Sequence, residues 1–341
     1  MRPGGVVAQP IGRIPRMPET TFLEAVNSAL KEEMHADERV FLIGEDIGAY
    51  GGAFKVTAGM LDEFGPERII DTPIAEAAVI GAAAGAAMCG MRPVAELQFI
   101  DFISCGGFDQ LVTVAAKSRF RNGVPCPLVV RGPAGGGGRG GPFHSACPEM
   151  WFVSTPGIKV VFPATAYDAK GLLKSAIRDP DPVLFLEHKF LYRRIKDEVP
   201  NEDYVVPLGQ AVERRAGDDM TIITYGAMVH TSLEAAEELA KNGHNVRVID
   251  LRTLVPLDEE TIVKAAMETS KVMIVHEDTR RGGLAGEIAA VINENAFDYL
   301  DGPIVRVTAP DTPVPYAPTL EDAYLPQVAD IVEAASELLQ Y

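Results

Sequence analysis

Two hydrophobic periods alternate along this chain. Leu23, Val26, Leu30 and Met34 recur at helical spacing and form one apolar stripe. Thr21 and Glu24 fit a capping box at its start, so a helix is predicted there. Val40-Phe-Leu-Ile43 is a continuous apolar run closed by Gly44, the pattern of a buried strand. The same reading predicts strands at Ile69-Ile70, 93–97, 128–131, 159–162 and 183–186. Helices are predicted between them, at about 76–89, 108–120 and 167–178. Strands that alternate with helices predict a mostly parallel sheet covered on both faces, the α/β class.

Residues 192–207 interrupt the rhythm with charges and two prolines, and are expected to link two domains. Beyond them the alternation restarts, with strand candidates at 221–225, 246–251, 271–276 and 304–307. The expected organisation is a flexible arm over 1–18, a first domain over 19–191, and a second, smaller α/β domain over 208–341. The arm carries three arginines and four prolines without an apolar segment.

Composition narrows the function. At 341 residues and 47% hydrophobic types, the chain can fill two ordinary cores. Its net charge of −17 argues against a nucleic-acid surface, which needs clustered Lys and Arg, and suits docking onto a basic partner. The longest uncharged small-apolar run, 77–91, is too short to span a bilayer, and no secretory signal is visible. A cytoplasmic protein without membrane partners is expected. Cys89, Cys105, Cys126 and Cys147 match no zinc or redox spacing and are expected to pack as reduced, small hydrophobes.

Several segments set chemistry after strands. They are Gly44-Glu45-Asp46, Asp71-Thr-Pro-Ile-Ala-Glu76, Gln98-Phe-Ile-Asp-Phe102 and Phe143-His-Ser145. In an open parallel sheet such positions lie along the ligand-binding edge. By residue type alone, Glu76 could simply complement a helix dipole, Phe102 could be a core aromatic, and Glu45 a solvated turn acid. His188, His230 and His276 have no metal-ligand spacing, so core or solvated roles are expected for them.

These segments, with Asp168-Ala-Lys-Gly-Leu172, Ala176-Ile-Arg-Asp179 and Val248-Ile-Asp-Leu-Arg252, resemble the β subunits of the thiamine-diphosphate-dependent 2-oxo acid dehydrogenases, the E1 components acting on pyruvate, branched-chain 2-oxo acids or acetoin. The resemblance runs from about Thr21 to the C-terminus. It implies a pyrimidine-binding domain followed by a transketolase-type C-terminal domain. It also implies oxidative decarboxylation of a 2-oxo acid and reductive acylation of a lipoyl group.

The resemblance assigns roles residue by residue. Glu76 is the catalytic carboxylate that meets N1′ of the cofactor's aminopyrimidine, and Phe102 packs on that ring. Glu45 lies near the cofactor as a further carboxylate. His144, after the glycine-rich run 135–141, faces the substrate for proton or acyl transfer. The family commonly has Gln before this His and Gln after the following Ser. Phe143 and Ala146 stand there instead, which puts the substrate contacts in question. The carbonyls of Leu128, Ala176 and Asp179, with Asp181, align with a potassium site of several relatives; ordinary strand and helix ends are the alternative.

The Gly-Asp-Gly sequence that holds Mg²⁺ and diphosphate is missing, and Gly217-Asp-Asp219 is the nearest approach to it. The resemblance therefore implies an E1 α subunit in an α2β2 heterotetramer, with Mg²⁺ held by α. It also implies an E2 acyltransferase that docks through its peripheral subunit-binding and lipoyl domains. An acetoin dehydrogenase subunit and a non-catalytic scaffold subunit are the alternatives.

Overall fold

The computed structural model describes residues 19–341, so the expected arm over 1–18 lies outside the described residues. In chain order the strands are β1 (Glu19–Thr21), β2 (Val40–Glu45), β3 (Ile69–Thr72), β4 (Arg92–Glu96), β5 (Val129–Ala134), β6 (Lys159–Val161) and β7 (Val183–His188). There follow β8 (Lys196–Glu198), β9 (Val212–Arg215), β10 (Met220–Thr224), β11 (Val246–Asp250), β12 (Thr253–Val255), β13 (Val272–Thr279) and β14 (Val305–Ala309). They build a seven-stranded sheet, β12-β6-β7-β5-β4-β2-β3, and a five-stranded sheet, β14-β13-β10-β11-β9. Within each, the sequence-predicted strands that neighbour one another pair in parallel, for example Leu42 with Val94 and Ile222 with Val248.

Side-chain alternation explains how the sheets are covered. Along β2, Val40 and Leu42 enter one core while Phe41 and Ile43 enter the other. One core receives the Phe22–Ala36 and Ala166–Arg178 helices; the other receives the Ala-rich Glu76–Met88 helix. Each core continues into the second sheet, through Met220 and Ile222 on one side and Ile223 and Ile249 on the other. The capping box at the first helix is present: the Glu24 amide donates to the Thr21 hydroxyl at 3.2 Å, and the Thr21 amide to Glu24 Oε2 at 2.9 Å.

Two expectations need correction, and two features add to the picture. The 108–120 helix is broken, with a π turn at Gln110–Ala115 and a short helix at Ser118–Asn122. The 192–207 segment is a fastened strap. Tyr192 and Val206 are buried, β8 pairs antiparallel with β1, and the Ser175 hydroxyl donates to the Val206 carbonyl at 2.6 Å. The strand β12, from the second half of the chain, joins the first sheet by pairing antiparallel with β6. Cys126 and Cys147 are buried as expected, but Cys89 and Cys105 are exposed. No helix among the described residues is long and apolar enough to cross a membrane.

Candidate active site

The parallel neighbours β5, β4, β2 and β3 bring their carboxyl ends to one edge, and the sequence-predicted site residues follow those ends. Glu45 closes β2, and Glu76 opens the helix after β3. Phe102 sits in the 3₁₀ turn Ile100–Ser104 after β4, and His144 follows the turn Gly141–Phe143 in the loop after β5. Gly107 allows this convergence. A Cβ there would stand 2.8 Å from Ile80 Cδ1 and 3.4 Å from Glu76 Cβ, so a bare backbone is what lets the turn bearing Phe102 lie against the start of the Glu76 helix.

Glu76 is half-buried, and its carboxyl has no hydrogen-bond or ion-pair partner among the described residues. Glu45 is its electrostatic neighbour: burial raises the Glu45 carboxyl above the usual range, and the charges of Asp46 and Glu76 add to the rise. The His144 ring meets Phe99 edge-on, with centroids 4.7 Å apart, and Phe102 at 5.3 Å. Phe99 in turn contacts Phe54 at 5.4 Å. A cleft of about 560 Å³ opens beside His144, lined among others by Phe54, Phe99, Lys189, Phe190, Arg193, Arg194 and Tyr316. Its walls are aromatic and its charges are cationic, a lining that suits a small anion with an apolar tail.

Residues that the sequence reading did not single out hold this arrangement. Asp101 accepts from the Ala146 amide at 3.0 Å and so fixes the loop just after His144. Burial raises the Asp101 carboxyl, while the Ala146 amide, Lys189 and His144 pull against the rise. Lys189 donates to the Gly135 carbonyl, and burial depresses its ammonium. The glycine-rich loop is pinned from the second half of the chain. The Gly136 amide donates to Glu277, and those of Gly137 and Arg139 to Glu321 at 3.0 and 3.1 Å. Below the edge, fully buried Arg131 pairs with Glu96 and, at 2.6 Å, with Glu187, which also accepts from the Tyr192 hydroxyl at 2.7 Å. Asp101 lay within a quoted segment; the others gave no local signal, because their partners are distant in sequence.

The candidate potassium ligands already have protein partners. The Asp179 carboxylate accepts from Lys159 at 2.7 Å and its carbonyl from Arg92 at 3.2 Å; Asp181 pairs with Arg119 at 2.5 Å. The Leu128 carbonyl accepts from the Val183 amide, and that of Ala176 from the Asp179 amide. Of His188, His230 and His276, His230 donates its Nε2–H to the Ala164 carbonyl at 2.8 Å as a local anchor, and His276 is buried. His188 is buried, as a core role requires. It stands with Cys147 and Glu277, their ligating atoms within 4.8 Å of one another.

Comparison with known proteins agrees with this architecture. Residues 19–194 match the transketolase pyrimidine-binding domain, and residues 209–331 the transketolase C-terminal domain. The chain is 52% identical over 324 residues to the 2-oxoisovalerate dehydrogenase subunit beta of Bacillus subtilis, covering 94% of this chain and 99% of that one. It is 44% identical over 327 residues to the pyruvate dehydrogenase E1 component subunit beta of the same organism, covering 95% and 100%. A solved split-gene transketolase, described as an inactive beta4 tetramer, superposes with a TM-score of 0.78 at 25% identity, covering 95% of this chain and 99% of that one. A site at the carboxyl edge of a pyrimidine-binding sheet, near-complete coverage and this level of identity lead to one conclusion: the chain belongs to the family of β subunits of the 2-oxo acid dehydrogenase E1 components.

Proposed function

We propose that this chain supplies the pyrimidine-binding half of a thiamine-diphosphate site, and that with an α subunit it decarboxylates a branched-chain 2-oxo acid. The observation that carries the reading is the unpartnered Glu76 carboxyl beside the turn that bears Phe102. A half-buried aromatic next to a free carboxyl fits a flat heteroaromatic ring with one basic nitrogen.

In this reading Glu76 holds a proton at N1′, and Phe102 orients the ring. Glu45, close enough to feel the Glu76 charge, exchanges protons with it. His144 holds or delivers a proton at the substrate end of the cleft. Lys189, Arg193 and Arg194 attract the substrate carboxylate, and the ring-lined walls exclude water from its apolar tail. When bound, the cofactor supplies the electron sink that decarboxylation needs. The diphosphate and Mg²⁺ fall to the α subunit, because Gly-Asp-Gly does not occur in this chain.

The exposed stripe Ala78, Ala82 and Gly85 on the Glu76–Met88 helix, continued by Cys89 at its C-cap, supports a contact with another subunit. The second domain, on a chain of net charge −17, is the proposed dock for a basic E2 binding module. The higher identity to the 2-oxoisovalerate enzyme favours a branched-chain acid over pyruvate. An acetoin enzyme or a non-catalytic scaffold is not favoured. The test is to assay the chain alone and together with its α partner, over a panel of 2-oxo acids and acetoin. The expected result is no turnover alone and preferred decarboxylation of 2-oxoisovalerate in the assembly. Turnover by the isolated chain, or an assembly that prefers acetoin, overturns the proposal.

A further inference from the structure

Cys147, His188 and Glu277 come from three separate places in the chain: the loop after His144, the end of β7, and β13 of the second sheet. All three are buried, and a thiol, an imidazole nitrogen and a carboxylate oxygen lie within 4.8 Å of one another. His188 Nε2 is 2.7 Å from Glu277 Oε2, while its Nδ1 is buried without a hydrogen-bond partner. Such an imidazole is incompletely satisfied for a group only 2% exposed.

The donor set is mixed sulfur, nitrogen and oxygen, which suits a borderline-soft divalent ion and not Mg²⁺ or Ca²⁺. Carboxyl groups dominate the surroundings. Glu277, Glu149 and Asp278 all act on Cys147, although burial lifts the Glu149 and Asp278 carboxyls; Lys189 opposes them, and burial depresses its ammonium.

We propose that Cys147, His188 and Glu277 form a binding site for a zinc-type divalent cation, clamping the His144 loop to the second sheet. On binding, the Cys147 thiol loses its proton to solvent and the thiolate bonds the metal. Neutral His188 gives a nitrogen lone pair, Glu277 a carboxylate oxygen, and the fourth position is left to water. The His188–Glu277 pair must open from 2.7 Å to roughly 3.3 Å, so that both reach an ion at ~2.0–2.1 Å. That is a side-chain adjustment that leaves the backbone in place. Cys147 lies three residues after His144, so the bound ion ties the loop that carries His144 to β13. The inference holds whichever 2-oxo acid the enzyme takes.

The test uses Co²⁺ as an optical probe on the reduced, metal-free full chain. The expected result is a thiolate-to-cobalt charge-transfer band that saturates at one ion per chain and is displaced by Zn²⁺. About one proton should be released per ion. Cys147→Ser should abolish the band, and Glu277→Gln should weaken binding at least tenfold. A Cys89→Ser/Cys105→Ser double variant, which leaves the buried site intact, should keep it. No band in the parent chain overturns the proposal. So does a band that survives Cys147→Ser, or one that disappears with the two exposed cysteines.

Discussion

The rings of Phe102 and His144 stand 5.3 Å apart at 76°, although they come from loops after different strands. Each ring thereby limits where the other can turn. Phe102→Ala should raise the cofactor concentration needed for half-maximal activity and leave the fold intact. His144→Asn should lower turnover by roughly 10²-fold or more, the usual loss when a positioned proton donor or acceptor is removed. Circular dichroism and steady-state rates check both. Rates within about threefold of the parent for His144→Asn would remove it from the chemistry.

Gly135 has φ +84°, and a Cβ there would run into the His188 ring, whose Nε2 holds Glu277. Gly135→Ala should therefore cost roughly 1–3 kcal/mol from the backbone conformation alone, before His188 is displaced. A denaturant titration measures it. A midpoint equal to that of the parent would mean that the loop has room the structure denies it.

Asp250 predicts a pH dependence. Burial lifts its carboxyl to about 6; Arg214 opposes the rise and Asp168 adds to it. Arg214 reaches Asp250 at 2.8 Å while also bonding Asp168, so one guanidinium serves two carboxylates. An unfolded Asp titrates near ~3.9. Between about 4 and 6 the folded chain keeps a proton that the unfolded chain has released. The stability from this group is thus largest below that window and falls as pH rises through it. Asp250→Asn should flatten this fall, by on the order of 1–3 kcal/mol across the window. Parallel stability profiles for parent and variant would contradict the assignment.

What the sequence made legible was periodic or local. Val40–Ile43 and the stripe from Leu23 to Met34 announce their elements, because burial on one face imposes a period. Glu45, Glu76, Phe102 and His144, the proposed site residues, stand in motifs that sit just after strands. The missed features depend on partners far along the chain. β12 is too short to show a period, and it pairs only because β6 offers an edge. The strap 192–207 has a linker's composition, yet it is anchored by Tyr192 and Val206. Cys147, His188 and Glu277 have no motif spacing, because folding alone brings them together.

The central claim is that Glu76 is the proton partner of the cofactor's pyrimidine. Glu76→Gln is nearly isosteric, so the helix start and its packing stay as they are, but the amide cannot take or release a proton. If the claim holds, loss of a positioned acid–base group should cost ~10²–10⁴ in rate, or ~3–5 kcal/mol of barrier. A helix-start acid with no catalytic role would change stability by about 1 kcal/mol or less and leave the rate alone. The decisive measurement follows C2 proton exchange and decarboxylation in the αβ assembly, with saturating thiamine diphosphate and Mg²⁺. The account predicts that both collapse in Glu76→Gln while the assembly stays folded; both rates within about threefold of the parent would contradict it.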